Sequence, residues 1–274
     1  MEASAASSSR PLSAQNVEAL FDSVEAFLFD CDGVIWKGDK LIEGVPQTLE
    51  MLRSRGKKLV FVTNNSTKSR KSYAKKFQML GVTVSEEEIF CSSFAAAMYL
   101  KSIDFPQEKK VYVIGEEGIL EELELAGFTG LGGPEDRDKR VHLKPNFLFE
   151  HDKSVMLEQL WLDLTSISTI ISSSAGCMVA AVCGSTQKEP VVVGKPSTFL
   201  MDFLLKRFQI DTSKMCMVGD RLDTDILFGQ NAGCKTLLVL SGVTTLSGLH
   251  DPSNNIHPDY YTNQVSDLLE LLGS

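Results

Sequence analysis

The sequence predicts an α/β protein built on a doubly wound parallel sheet. Three observations predict it. Short runs, apolar at every position, recur along the chain and close on polar or acidic residues. Such runs suit central strands of a parallel sheet, which are buried on both faces. Helical patterns of ten or more residues stand between them, as crossover helices must. Several of these patterns stop at a glycine (Gly56, Gly81, Gly233), the usual helix C-terminus. The first run is Ala26 to Asp30 (AFLFD), followed by a helix over Val45 to Arg55. Lys57 to Thr63 (KKLVFVT) is the second strand, and Ser69 to Leu80 the next helix. Val111 to Ile114 and Pro190 to Val193 are read as strands, then Ser197 to Phe208 as a helix. Met215 to Val218, a helix over Asp223 to Ala232 and a strand over Thr236 to Leu240 complete the set.

A chain of 274 residues accommodates one large α/β domain, or a core with a smaller inserted domain. With 43% hydrophobic and 23% charged residues it has the composition of a soluble globular protein, and no stretch has the length of a membrane helix, so no membrane association is expected. The net charge of −9 argues against a nucleic-acid partner, because phosphate backbones select basic surfaces. An acidic protein that handles an anionic substrate must concentrate positive charge locally. The six cysteines form no C-x-x-C pair and read as free thiols of a reducing compartment. The opening MEASAASSSRPLS lacks an apolar signal region and reads as a disordered start of a cytoplasmic protein. Its Ser/Ala content, with one arginine, leaves the plastid as the alternative compartment.

In doubly wound sheets ligands bind beyond the carboxyl ends of the strands, so the polar residues that close each strand carry the functional reading. The first end is Asp30-Cys31-Asp32-Gly33. Residues i and i+2 of a strand face the same side, so both carboxylates can serve one site, with Cys31 turned away. Two close carboxylates repel unless a cation lies between them, and a hard dication with oxygen ligands such as Mg²⁺ resolves the conflict. Asp30 can then attack phosphorus, and Asp32 can protonate the leaving oxygen and later activate water. Taken alone, the pair also reads as two solvated acids. The second end, Thr63-Asn64-Asn65-Ser66, offers a hydroxyl, amides and backbone N–H groups to a phosphoryl oxygen, or simply caps the next helix through Ser66 or Asn65. The third, Gly194-Lys195-Pro196-Ser197, places a lysine where it can hold a phosphate and the nucleophile together; a lone lysine also reads as a surface charge. The fourth is Gly219-Asp220-Arg221-Leu222-Asp223-Thr224-Asp225. Asp220 can complete a metal's oxygen shell, Asp225 can orient a metal-bound water, and Asp223 suits the first turn of a helix. It is the succession of four such ends that capping alone does not explain.

The segments DCDGVIW, VTNNS, VGKP and GDRLDTDI resemble the four motifs of the haloacid dehalogenase superfamily, and within it the phosphoglycolate phosphatase and p-nitrophenylphosphatase group of plant type. The resemblance implies a Rossmann-like core, Mg²⁺, and hydrolysis of the photorespiratory ester 2-phosphoglycolate through an aspartyl-phosphate. It makes Asp30 the nucleophile and Asp32 the general acid/base. Thr63, Asn64, Asn65 and Lys195 become phosphate ligands. Asp30, Asp220 and Asp32, the last through its backbone carbonyl, become metal ligands. It also implies an α/β cap domain inserted over 91–188, between core parts at 16–90 and 189–274, and it admits a homodimer formed through that cap.

One segment departs from the family. Met156 to Ser174 reads MLEQLWLDLTSISTIISSS, in which Leu157, Leu160, Trp161 and Leu164 fit an amphipathic helix. The family instead has a strand here of the form Ala-Val-Val-Val-Gly-Leu-Asp, and a longer cap. Codons GAG CAG TTG TGG TTG GAC TTG encode Glu158 to Leu164; read two bases later, with AC added, they encode that strand. The segment is therefore read as a frame-shifted splice or gene-model product, and the cap as truncated. The alternatives to a phosphoglycolate phosphatase are a less selective enzyme for pyridoxal phosphate or aryl phosphates, and a cap-damaged, non-catalytic binding protein.

Overall fold

In the computed structural model the described residues are 9–136 and 189–273, with Val179 and Cys183 between them. The segment 156–174 and much of the expected cap lie outside the described residues.

In chain order the elements are β1 (Arg10–Pro11), α1 (Val17–Ser23), β2 (Ala26–Phe29), β3 (Trp36–Lys37), β4 (Lys40–Leu41), α2 (Val45–Ser54), β5 (Lys58–Thr63), α3 (Arg70–Met79) and β6 (Ile89–Cys91). Next come α4 (Ser92–Ser102), β7 (Lys110–Val113), α5 (Glu117–Leu125) and β8 (Thr129–Gly132). The last group is α6 (Phe199–Phe208), β9 (Met215–Gly219), α7 (Leu227–Ala232), β10 (Lys235–Val239), α8 (Leu246–Leu249), β11 (Tyr260–Thr262) and α9 (Asp267–Gly273). The chain divides into two compact units, Met1–Thr63 with Ala74–Phe90 and Lys195–Ser274, and Asn64–Tyr73 with Cys91–Gly194. This division gives residues 64–73 and 189–194 to the second unit, where the sequence places them in the core parts.

The first unit holds a seven-stranded sheet in the order β1-β11-β10-β9-β2-β5-β6. The pairings from β1 through β5 are parallel. β2 and β9 are buried at every residue, and β5 and β10 at all but the first. That is the both-faces burial the apolar runs predict. From β2 the chain continues to β5 on one side, and returns much later to β9 on the other. The order reverses at β2, so the end of β2 is the switch point where such sheets bind ligands. The aromatic rings of Phe27, Phe29, Phe61 and Phe77 follow one another at 6.1, 6.0 and 4.6 Å, and Phe77 meets Trp36 at 4.7 Å.

In the second unit β7 and β8 pair in parallel. α4 and α5 bury Ala97, Leu100, Ile119 and Leu123 with Val111, Val113 and Phe128. Glu122 is buried there and accepts from the Arg70 amide at 2.7 Å and from its Nε at 3.1 Å.

Two readings are corrected. Pro190 to Val193 is not a strand: Val191 makes an isolated bridge, and Val191 and Val192 are exposed. Three valines favour extended backbone but do not create a sheet edge to pair with. The helix read over Asp223 to Ala232 opens instead as a π-turn, Leu222–Ile226, before α7. The hairpin β3–β4 was absent from the reading, because two-residue strands carry no period. Cys31, Cys91, Cys216 and Cys234 are buried free thiols. No helix among the described residues is long and apolar enough to cross a membrane.

Candidate active site

The carboxyl end of β2 delivers Asp30, whose amide donates to the Val218 carbonyl of β9 at 2.9 Å. Asp30 is 9% exposed, and its carboxylate meets Lys195 Nζ at 2.6 Å. Lys195 is 1% exposed, which removes the surface-charge alternative. Its ammonium also donates to the Val62 carbonyl of β5 at 2.7 Å and pairs with Asp225 Oδ1 at 2.7 Å. One cation thus ties together the ends of β2 and β5 and the turn after β9.

Asp225 is the residue whose part was underestimated. Its Oδ2 accepts the backbone N–H groups of Asp220 and Arg221 at 3.1 and 3.0 Å, so the carboxylate folds back under the end of β9. The π-turn makes this reach feasible, since Ile226 N–H bonds Arg221 C=O at 3.1 Å and widens the first turn. Asp220 is buried, and its Oδ2 accepts the Val243 N–H at 2.6 Å. A side chain at Gly33 would meet that oxygen at 2.6 Å, and Gly33 has φ of 82°, so both space and backbone demand glycine there. Asp223 is exposed and pairs with Arg221 at 2.8 Å, a solvated first-turn acid.

Asp32 stands apart from this cluster. It is exposed, and its Oδ1 accepts the indole N–H of Trp36 at 2.8 Å. The carboxylates that converge are those of Asp30, Asp220 and Asp225, with one oxygen of each within 4.8 Å of the others. The contribution that the resemblance implies for Asp32 is its backbone carbonyl, so the convergence of these three side chains adds Asp225 to the cluster without displacing Asp32.

Thr63 closes β5 and is buried. In the second unit Asn64 is buried and its carbonyl accepts the Ser92 hydroxyl. A side chain on Gly194 would strike Asn64 Oδ1 at 2.7 Å, so the glycine of the Gly-Lys-Pro motif makes room for this amide. Asn65 Oδ1 accepts from Thr67 N–H at 3.1 Å and from Thr67 Oγ1 at 2.7 Å. This is a local turn ahead of α3, whose first turn is capped instead by Ser69, its Oγ accepting the Ser72 N–H at 3.2 Å.

Burial pushes the Asp30 carboxyl well above the ordinary carboxylate range; Lys195 opposes the shift, and Asp225 and Asp220 add to it. Asp220 is pushed up to about 7, by burial first and then by Asp225. Burial alone would lower Lys195, but the charges of Asp225 and Asp30 outweigh it and hold the ammonium protonated. Three carboxylates around one ammonium leave surplus negative charge in a buried place. A dication with oxygen ligands fits that surplus and that donor set. The Cys31 thiol is driven up by burial and by its acidic neighbours, which makes it inert.

Two family models match the chain: one described as haloacid dehalogenase-like hydrolase at residues 27–129, and one of the same hydrolase class at 192–268. Phosphoglycolate phosphatase 2 of Arabidopsis thaliana is 60% identical over 96% of this chain and 98% of its own length. That alignment spans 295 residues, more than the 274 here, so the relative has residues without a counterpart in this chain. Among solved structures, a p-nitrophenyl phosphatase from Archaeoglobus fulgidus has a TM-score of 0.74 at 29% identity, covering 90% of this chain and 99% of that one. A glycerol phosphate phosphatase from Mycobacterium tuberculosis, solved with magnesium, has a TM-score of 0.72 at 26% identity, covering 94% and 78%.

Proposed function

This chain belongs to the haloacid dehalogenase-like hydrolases, and we propose that it hydrolyses 2-phosphoglycolate to glycolate and inorganic phosphate through a phosphoryl group carried on Asp30. The observation that carries the chemistry is the Lys195 ammonium lodged between Asp30 and Asp225, at 2.6 and 2.7 Å. It orients the nucleophile and supplies fixed positive charge where a dianionic phosphoryl group must come to rest. The substrate reading is supported by the 60% identity to the Arabidopsis enzyme over nearly its whole length.

In the first step a carboxylate oxygen of Asp30 forms a bond to phosphorus as the bond to the glycolate oxygen breaks. The electron pair stays on that oxygen, which takes a proton from Asp32. In the second step Asp32 takes a proton from water, the water oxygen bonds to phosphorus, and the acyl-phosphate bond breaks. Asp30 returns as a carboxylate. Lys195 stays charged throughout, and the Thr63 hydroxyl and Asn64 are suited to hold phosphoryl oxygens. Asp30, Asp220 and the backbone carbonyl of Asp32 would hold Mg²⁺, with Asp225 fixing the loop that carries Asp220. When bound, Mg²⁺ supplies further positive charge against the phosphoryl oxygens.

The test is borohydride trapping during turnover. Reduction of the acyl phosphate should convert residue 30, and no other, to homoserine. Label elsewhere would overturn the assignment of Asp30. Rates with 2-phosphoglycolate, glycerol 3-phosphate, pyridoxal phosphate and p-nitrophenyl phosphate, in the presence of Mg²⁺, rank the substrates. A flat ranking favours the less selective reading.

A further inference from the structure

Trp36 is 0% exposed and stands four residues after the exposed Asp32. Its only polar atom is a donor, which must find an acceptor when the ring is buried. It finds Asp32 Oδ1, at 2.8 Å. The loop between them is tightly closed: Ile35 N–H and Trp36 N–H donate to the Cys31 carbonyl at 2.8 and 3.2 Å, and Gly33 N–H donates to the Trp36 carbonyl at 2.7 Å. The ring is fixed as well. Phe77 meets it at 4.7 Å with the planes 60° apart, and Lys76 Nζ lies 4.2 Å from its centroid. That ammonium also donates to the Gly38 carbonyl at 3.0 Å, which pins the β3–β4 hairpin.

We propose that Trp36 is a positioning residue for the general acid: its indole N–H holds the Asp32 carboxylate through Oδ1, so that the proton transfers take place from one set orientation. Lys76 steadies the indole and contributes one step further out. The proposal rests on the phosphatase reading, because only a proton donor needs such fixing. An exposed carboxylate otherwise samples several rotamers, and proton transfer in the transition state tolerates little misplacement.

The chemistry provides a discriminating test. An alkyl ester such as 2-phosphoglycolate expels an alkoxide, which must be protonated as it leaves. p-Nitrophenyl phosphate expels a stabilised phenolate that needs no proton. Since kcat/KM reports steps up to the first irreversible one, it isolates the phosphoryl transfer to Asp30. Trp36→Phe keeps the ring packing and removes the N–H. It should lower kcat/KM for the alkyl ester about tenfold or more, while the value for the aryl ester stays within about twofold. Water activation still needs Asp32, so the variant should also show a burst of p-nitrophenolate before a slower steady state. Lys76→Met should give the same selective loss, smaller in size.

Equal losses on both esters, or no loss on either, would overturn the proposal. In the metal-free protein the Trp36 indole N–H resonance, identified by its disappearance in Trp36→Phe, should move in Asp32→Ala. An unmoved resonance also overturns the proposal, with no reference to activity. A parent protein that cleaves neither ester sinks the phosphatase reading and this proposal together, and the resonance still reports separately whether the indole holds the carboxylate.

Discussion

Each unit buries a carboxylate beside a cation, and the two places differ in their charge balance. In the second unit, among the described residues, Glu122 pairs with Arg70: one acid, one base, with the carboxylate also taking the Arg70 amide. The pair joins residue 70 to α5 and has no charge left over. In the first unit Lys195 faces Asp30 and Asp225, with Asp220 beside them. Here the acids outnumber the base. Burial by itself therefore does not mark the reactive place; uncompensated buried charge does, because a fold tolerates it only where a ligand completes the account.

The sharpest way to break this comparison is to remove one acid from each place. Asp30→Asn should lower turnover by roughly 10³-fold or more, since an amide at this position does not attack phosphorus. It should leave the melting temperature of the metal-free protein unchanged or raised, because it removes surplus charge. Glu122→Gln should do the opposite, leaving kcat nearly intact and costing about 1–3 kcal/mol of stability. A Glu122 variant with the activity defect of Asp30→Asn would erase the distinction.

Lys195 comes next. Its burial between two carboxylates makes its charge matter to folding as well as to the transition state. Lys195→Met should lower kcat/KM by about 10²-fold, and should also destabilise the metal-free protein by about 3–5 kcal/mol, because two buried carboxylates lose their counterion. Activity assays and thermal unfolding of the same preparation check both halves. A variant that loses activity at unchanged stability would mean that the ammonium is not the counterion the two buried carboxylates depend on.

Lys195 also shows what was legible in the sequence. The strand ends and their acids could be read because apolar runs and motif order are local properties. The placement of Lys195 could not. Its ammonium reaches the Val62 carbonyl 133 positions away in the chain, across a sheet whose register is set by tertiary packing. Trp36 was hidden for a similar reason: an apolar residue in a tight loop reads as core, and its bond to Asp32 depends on a hairpin too short to have a pattern. Asp225 was visible as an acid, but not as the residue that folds the Asp220 loop, because a π-turn has no sequence signature at this length.

A smaller effect sharpens the comparison through pH. Asp220 is raised from its ordinary 3.8 to about 7 in the folded protein. An acid raised on folding binds its proton more tightly in the native state than in the unfolded one. The stability this contributes is fully present below about pH 4 and is lost as pH rises through about 7. Metal-free protein should therefore lose stability over that window, and Asp220→Asn should lose less, the raised Asp30 carboxyl accounting for what remains. Added Mg²⁺ should raise the melting temperature more at pH 7.5 than at pH 5, because it offsets charge that exists only at the higher pH. A Mg²⁺ shift independent of pH would mean that the ion binds elsewhere. The Arg70–Glu122 pair, already balanced, should be indifferent to Mg²⁺ at either pH.

The smallest expected effect on the chemistry, and the largest on choice of substrate, concerns residues 156–174. The motifs at Asp30, Thr63, Lys195 and Asp220 flank this segment and do not include it. The alignment with the Arabidopsis relative is longer than this chain, consistent with material missing here. The reacting groups of the first unit are fixed by sheet and backbone bonds within that unit, whereas discrimination between esters depends on what contacts the rest of the substrate. Exchanging 156–174, and the residues it lacks, for the corresponding segment of the Arabidopsis enzyme should leave kcat/KM for p-nitrophenyl phosphate within about threefold. The preference for 2-phosphoglycolate over glycerol 3-phosphate should rise. Limited proteolysis between about Val155 and Ala175 should slow in the same exchange, if the present segment is foreign to its surroundings. Should the unaltered chain already prefer 2-phosphoglycolate strongly and resist cleavage there, the segment is a genuine part of the cap and the frame-shift reading fails. The balanced unit would then have accepted a different local sequence at no cost to selectivity.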